Sequence, residues 1–461
     1  MTPRVTFVLV TYGGGELAKH CLEVLARHTD VPYEVVVVDS ASPDGTGQWL
    51  EDNLTGATVV RMAENLGFGA GCNLGVQHSR TEFVCFLNAD VEVTPGWLAP
   101  LLDFLDRTPA AAAVAPLMVF PDGRVQEAGS LLGGDAYSRG WGDGWTDVTS
   151  LYPRVVDYAS AACLVLRRHA FHEVGGFSPE YHIAYYEDVD LQFLLRARGW
   201  QVWVQPSSHV LHVRHGTSST KRAEELSDIN REVFRRRWAD DLALRPPSVG
   251  VHEHPHRLWW LRDQPASVRV LLLASRVPGA EDGRTAAMVA EWRRSDPAAA
   301  ITLLAVGGAG EAAARWREVG VEVESADDCA VWSRDRVGHY DVVVALGTDV
   351  PAIEVTEWQP TAVRALDLGS LAHREWEKRF AGTRARADAV RAGEARAAAA
   401  ALLEWAEVVS CRDEEDSSWA RQSGGRSAHV VPDPGPDAVV TGEFRSAMAK
   451  VLVECTVVPT G

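Results

Sequence analysis

No Cys-x-x-Cys pair occurs in the chain. The seven cysteines, Cys21, Cys72, Cys85, Cys163, Cys329, Cys411 and Cys455, are odd in number and scattered. That pattern gives neither a disulfide framework nor a zinc or dithiol signature. Most sit in apolar strings, where a thiol serves as a small buried hydrophobe, and a reducing cytoplasm is the compartment they fit. Positive charge is scarce as well: 45 Lys and Arg face 63 Asp and Glu, a formal charge of −18. This excludes a broad phosphate-neutralising face for nucleic acid, and short basic runs such as Arg235-Arg236-Arg237 do not reverse it. Long hydrophobic runs are missing too. The opening Val5-Thr6-Phe7-Val8-Leu9-Val10 is far below the ~20 residues of a membrane span and lacks the layout of a signal peptide. The chain reads as soluble or at most membrane-peripheral.

What is present belongs to an ordinary globular protein: 46% apolar and 23% charged residues leave no room for a disordered or collagen-like reading. No period indicates tandem repeats. A length of 461 residues exceeds what one hydrophobic core serves, so two domains are expected. The Pro- and Gly-rich stretch 244–256 marks the boundary. The expected division is a first domain over 1–245, a linker over 246–266 and a second domain over 267–461.

Both domains read as α/β. In the first, strands are expected over 5–11, 35–39, 58–62 and 83–87, alternating with helices over 15–28, 45–53 and 69–78, the pattern of a parallel sheet with crossover helices. Ligands collect beyond the carboxyl ends of such strands. Asp39 and Asp90 lie at two of those ends and Thr11 and Tyr12 at a third, which defines one crevice. In the second, six strands are expected, over 268–274, 301–306, 341–346, 363–366, 408–410 and 428–431, as a Rossmann-like sheet. Between them, 116–157 is rich in glycine and in rings such as Trp141. An acceptor-facing lid and a packed surface loop are both open readings of it.

Three groups carry chemistry. Asp90 in Asn88-Ala89-Asp90 offers a carboxylate for a divalent ion, though for an Asp taken by itself a turn or helix-capping role is the commoner one. Glu187 and Asp188 in Tyr186-Glu187-Asp188-Val189-Asp190 offer a general base, or simply the acids that favour a helix N-terminus. His209, His212 and His215 recur every three residues beyond the strand at 202–204. Metal-assisted sugar transfer from a nucleotide needs one member of each group: an acid for the metal, an acid for the acceptor proton and an imidazole.

The order of motifs resembles family-2 glycosyltransferases, in particular rhamnosyltransferase-like members with a GT-A fold, over about the first half of the chain. Val8-Leu9-Val10-Thr11-Tyr12 resembles the family's opening strand, Val37-Val38-Asp39-Ser40-Ala41-Ser42-Pro43-Asp44-Gly45-Thr46 its nucleoside turn, and Asn65-Leu66-Gly67-Phe68-Gly69-Ala70-Gly71-Cys72-Asn73-Leu74-Gly75 its glycine-rich segment. Gly175-Gly176-Phe177 through Asp190 resembles its acceptor side. The resemblance implies a nucleoside diphosphate sugar bound by Thr11, Tyr12, Asp39, Ser40, Asn65, Gly69, Asn73, Asn88, Ala89 and Asp90. It also implies Asp188 as base beside Glu187, Tyr186 and Trp141 toward the acceptor, and inversion at the anomeric carbon. Metal ligands would be Asp90 and a histidine, His212 before His215, with His209 at the surface. An imidazole leans the ion toward Mn²⁺ over Mg²⁺. The family's Asp-x-Asp is here Asn88-Ala89-Asp90, one carboxylate short.

The implied donor is dTDP-, UDP- or GDP-linked, and the acceptor a saccharide or small molecule of a glycan or natural-product pathway. The Ala-, Arg- and Trp-rich composition suits a high-GC bacterium. A non-catalytic nucleotide-sugar-binding or scaffold protein is the rival reading. From about Val268 the chain resembles, more faintly, the amino-terminal half of a GT-B enzyme. An accessory role in acceptor presentation, partner binding or self-association is expected there, with Asp367, His373 and Arg374 read as structural residues ahead of the lining of a relic pocket.

Overall fold

The computed structural model describes residues 2–213, 220–248, 255–279, 282–308, 310–368, 379, 381–382, 386–431 and 442–456. The chain divides into two units, Met1–Pro265 and Ala266–Gly461.

In the first unit, β1 (Val5–Thr11), α1 (Gly15–His28), β2 (Tyr33–Asp39), α2 (Thr46–Asn53), β3 (Thr58–Arg61), α3 (Phe68–Gln77) and β4 (Phe83–Leu87) alternate. The four strands are mutually parallel, in the order β4-β1-β2-β3. Period-two alternation sends side chains to opposite faces. Val5, Phe7, Leu9, Phe83, Cys85 and Leu87 enter one apolar cluster, while Val8, Val84 and Phe86 enter another. Both faces are therefore covered, which is why these strands read as continuous apolar runs. On one face α3 lies directly on β1: a methyl group on Gly71 or Gly75 would collide with Val10 or Val8.

Beyond β4 the sheet becomes mixed. The strands β5 (Val91–Val93), β6 (Ala111–Val119), β7 (Val125–Glu127), β8 (Ser130–Leu132), β9 (Ser138–Gly140), β10 (Arg154–Val155), β11 (Cys163–Arg167) and β12 (Gln201–His212) follow, with helices α4 (Ala99–Arg107), α5 (Arg168–Glu173) and α6 (Glu187–Ala197). β11 runs antiparallel to both β4 and β6, and β6 runs parallel to β12. The segment 116–157, read from sequence as one long loop, instead holds part of β6 and all of β7 to β10. Short strands interrupted by glycines carry too little periodicity to be recognised.

The helices α7 (Thr220–Arg237), α8 (Ala239–Ala243) and α9 (Pro255–Arg262) complete the unit. The expected linker over 246–266 is thus not an extended tether throughout. α9 places Leu261 in a cluster with Leu117, Val125, Leu131 and Trp141, so its apolar side chains attach it to the first unit. Residues 249–254 lie outside the described ones.

The second unit is a parallel sheet of β13 (Arg269–Ala274), β14 (Ala300–Ala305), β15 (Val321–Ser325), β16 (Val342–Leu346), β17 (Val363–Leu368), β18 (Val408–Cys411) and β19 (Ala428–Val430). Its order is β15-β14-β13-β16-β17-β18-β19, reversing at β13 as in doubly wound folds. Val270 and Leu272 face one cluster, Leu271 and Leu273 the other. The strand absent from the sequence reading is β15 at the sheet edge, whose Val321-Glu322-Val323-Glu324 lacks a continuous apolar run although Glu322 is buried and accepts from Thr302 Oγ1 at 2.8 Å.

Candidate functional site

Strand register brings Asp90 to His212. β5 pairs antiparallel with the end of β12 so that His212 stands opposite Val91, and Val213 N donates to Asp90 O at 3.1 Å. The neighbouring Asp90 Oδ1 is consequently 3.4 Å from His212 Nε2, with both side chains 10% exposed. On the far side of the ring, Nδ1 is 3.0 Å from Gln126 Nε2, on β7. Gln126 is 3% exposed and its Oε1 has no partner among the described residues. Two neighbouring ligands of an octahedral ion, at about 2.1 Å each and about 90°, lie about 3.0 Å apart. The Asp90–His212 spacing of 3.4 Å is a few tenths of an ångström wider. Among the described residues no three His, Cys, Asp or Glu side chains gather closely enough to hold an ion, so this pair could hold one only as part of a set completed by other oxygens. His215 lies outside the described residues, and His209 is exposed.

A second group lies at the ends of β1 and β2. Asp39 is fully buried, receives Ser42 N at 3.3 Å and Thr11 Oγ1 at 3.4 Å, and has Arg61 Nε at 4.0 Å. Ser40 N donates to Thr11 O at 2.8 Å, and the Tyr12 ring beside it is 51% exposed. β1 lies between β2 and β4, so Thr11 stands between the strand ends that carry Asp39 and Asp90. Asn65 Oδ1 accepts from Gly67 N at 2.9 Å and shapes the turn into α3. The amide of Asn73 is used at both ends by Phe177: Nδ2 donates to Phe177 O and Oδ1 accepts from Phe177 N, each at 2.9 Å. Asn73 is therefore a clasp between two segments, and not a group turned toward a ligand.

The acids at the start of α6 separate by environment. Glu187 is 5% exposed with Oε2 unpartnered among the described residues, and burial, then the Asp188 charge beside it, pushes its carboxyl well above the usual range. Asp188 is half-buried and also raised by burial, but Ala161 N and Val189 N donate to it at 3.1 and 2.9 Å and oppose that shift. Two adjacent carboxyls share a proton unequally when their donors differ. Glu187 is the one raised well above its ordinary range, whereas the bonds from Ala161 N and Val189 N hold back the rise at Asp188. Gly69 packs against Phe177 and Glu187, which joins the glycine-rich segment to these acids. Asp190 is spent on structure, accepting from Trp238 Nε1 at 2.8 Å and Tyr181 Oη at 3.1 Å beside Arg237.

One turn connects the two halves. In Ala159–Ala162, before β11, Ala161 N holds Asp188, Ala162 O accepts Asn88 N at 2.8 Å, and Ser160 N donates to Glu127 Oε1 at 2.9 Å. Gln192, fully buried on α6, grips Ala159 from both sides, accepting its N–H at 2.8 Å and donating to its carbonyl at 2.7 Å. The sequence reading missed Gln126, Glu127, Gln192 and this turn. Gln192 lies on one helix face with Asp188 and Arg196 and gave no sequence signal of burial; Gln126 and Glu127 were hidden in the apparent loop.

Two residues expected on the acceptor side lie in the packed interior. Trp141, 8% exposed, is wedged between Trp145 and Trp259 with the Arg154 and Arg262 guanidinium groups over its ring. Tyr186, also 8% exposed, donates its hydroxyl to Ala136 O at 2.7 Å and packs on Phe234. Both rings are core, because burying an aromatic surface of this size outweighs presenting it to water. Tyr186 contributes through its backbone: Ile183, Tyr185 and Tyr186 have φ of 66°, 78° and 67°, left-handed values that cost about 1–3 kcal/mol each in residues with side chains.

Comparison with known proteins shows the family of the first unit. The profile described as Glycosyl transferase family 2 matches residues 6–175, inside the first unit. An N-acetylglucosaminyl-diphospho-decaprenol L-rhamnosyltransferase of Mycobacterium tuberculosis is 34% identical over 258 residues, 51% of this chain and 84% of that protein. A pre-mycofactocin glycosyltransferase of the same organism is 33% identical over 220 residues, 46% of this chain and 43% of its own length. Among solved structures, GalNAc-T7 with UDP, GalNAc and Mn²⁺ aligns over 46% of this chain and 44% of its own, at 17% identity and a TM-score of 0.40, a likeness too loose to support an argument. Identity of this extent over most of a relative's length is decisive: the chain belongs to glycosyl transferase family 2.

Proposed function

We propose that the first unit transfers a sugar, with inversion, from a nucleoside diphosphate sugar to an acceptor hydroxyl. The observation that carries the reading is the Ala159–Ala162 turn, from which Asp188 and the Asn88–Asp90 corner are both held. Asp188 retains its charge because Glu187 keeps the shared proton, and two backbone N–H groups fix its direction. It accepts the proton of the acceptor hydroxyl while that oxygen forms its bond to the anomeric carbon. The bond from that carbon to the diphosphate breaks, and its electron pair leaves with the diphosphate oxygen. When bound at Asp90 and His212, a divalent ion, Mn²⁺ ahead of Mg²⁺ for its tolerance of imidazole, neutralises the diphosphate. Thr11, Tyr12, Asp39 and Ser40 hold the nucleoside; Asn65 and Gly69 shape the cleft.

The rhamnosyl transfer named for the mycobacterial relative supports a dTDP- or UDP-linked donor ahead of a GDP-linked one. It also supports a saccharide acceptor of a glycan or natural-product pathway, handled in the cytoplasm. The second unit is proposed as accessory, in acceptor presentation or self-association. Release of nucleoside diphosphate from a panel of nucleotide sugars with Mn²⁺, with and without EDTA, tests the reading. Turnover with one donor, lost in EDTA, is expected; donors that bind without turnover leave the non-catalytic binding protein, and a panel with no donor bound or turned over overturns the enzyme reading.

A further inference from the structure

Asn230 on α7 is 1% exposed, and its Nδ2 donates to three backbone carbonyls: His182 O at 3.1 Å, Ala184 O at 2.9 Å and Tyr185 O at 3.1 Å. All three partners are acceptors, so only the NH₂ end of the amide can face them. Two N–H bonds reach three oxygens, and at least one is shared. The segment gathered in this way is the one whose Ile183, Tyr185 and Tyr186 adopt left-handed φ. Conformations of that kind persist only where the surroundings impose them. From the opposite side Phe68 N donates to Ile183 O at 2.7 Å, and Gly67 approaches the Ile183 backbone too closely for any side chain. The segment ends at Glu187 and Asp188, the first turn of α6.

We propose that Asn230 is a positioning residue for the transfer: it holds the strained 182–186 turn against the donor-side Gly67–Phe68 corner and so sets the direction of Asp188. Asn230 touches none of the proposed reacting groups, and the proposal rests on the reading of Asp188 as base. A side chain that fills the space without donating removes the Asn230 bonds to the carbonyls of Ala184 and Tyr185 and leaves His182 O with its bond from Ala184 N, and the turn relaxes toward ordinary φ values. The carboxylate at its end then moves relative to the acceptor, while the nucleoside side, built on β1 and β2, stays in place.

The test is the turnover number of Asn230→Leu and Asn230→Ser in the full chain, beside dissociation constants for dTDP and UDP with Mn²⁺ and the melting temperature. A displaced base lowers kcat by on the order of a hundredfold in the leucine variant. Nucleoside diphosphate affinity stays within about twofold, and the serine variant falls between leucine and wild type. If the leucine variant does not fold, the serine variant carries the same comparison. A kcat unchanged in a folded variant, or diphosphate affinity falling by the same factor as kcat, overturns the proposal. Asp188→Asn separates the two ideas: full turnover there removes the base itself, whereas lost turnover there with unchanged Asn230 variants removes only the positioning role.

Discussion

His212 is held from both sides, its Nε2 3.4 Å from Asp90 Oδ1 and its Nδ1 3.0 Å from Gln126 Nε2. With the Gln126 NH₂ donating to Nδ1, the ring proton sits on Nε2 and faces Asp90. With the amide turned over, Oε1 accepts from Nδ1–H and the Nε2 lone pair is available to a cation. Partners of this kind typically change metal affinity by about 10–100-fold. Gln126→Leu should weaken Mn²⁺ binding in the presence of nucleoside diphosphate by that factor, and Gln126→Glu should preserve it. Free Mn²⁺ counted by electron paramagnetic resonance checks this, and equal affinity in the leucine variant and wild type refutes it.

Asp188→Asn should lower kcat by roughly 10²–10⁴, the usual worth of a general base, with donor affinity retained. Glu187→Gln should keep most of the turnover, because a buried carboxyl that already holds its proton is close in shape and charge to an amide. Steady-state kinetics on the two variants decides between the acids. The reverse pattern would make Glu187 the base.

The same proton predicts a pH dependence of stability. Burial raises the Glu187 carboxyl well above its ordinary 4.5. A folded-state acid with raised pKa gives its full stability below the unfolded value and loses it as pH rises toward the folded one. Over that window the loss runs at about 1.4 kcal/mol per pH unit. Melting temperatures of wild type and Glu187→Gln measured upward from pH 5 should diverge in favour of the glutamine variant. Parallel curves would mean that Glu187 ionises freely.

Trp141 distinguishes core from acceptor surface. Its ring lies between two tryptophans and beneath two guanidinium groups, so Trp141→Ala should destabilise the first unit by about 3–5 kcal/mol. Denaturant unfolding measures this, and acceptor KM in the folded fraction should stay near the wild-type value. A large rise in KM at unchanged stability would restore the acceptor role.

In the second unit the Arg284 guanidinium is buried against Asp367, with the Asp367 carboxylate also accepting from Ser410. Removing one partner of a buried pair strands the other's charge, at about 3–5 kcal/mol. Asp367→Ala should therefore lower the second unit's unfolding transition in calorimetry while donor affinity is unchanged. An unaffected transition would place water at the pair.

The alternating α/β pattern over residues 5–87 was legible in the sequence because buried parallel strands leave continuous apolar runs, as in Val35-Val36-Val37-Val38. Asp39 and Asp90 could be placed at strand ends for the same reason, since topology alone fixes which tips share a crevice. Whether Asp90 meets His212 depends on the register of β5 against β12, and register is a property of paired strands that neither strand carries by itself. Likewise Glu187 and Asp188 are adjacent in sequence and alike in chemistry. Only the fold buries one with an unpartnered oxygen and supplies the other with two N–H donors from Ala161 and Val189. Aromatic residues show the limit most directly: Trp141 and Tyr186 suit a sugar face or a core by chemistry alone, and only tertiary packing removes their surface from water.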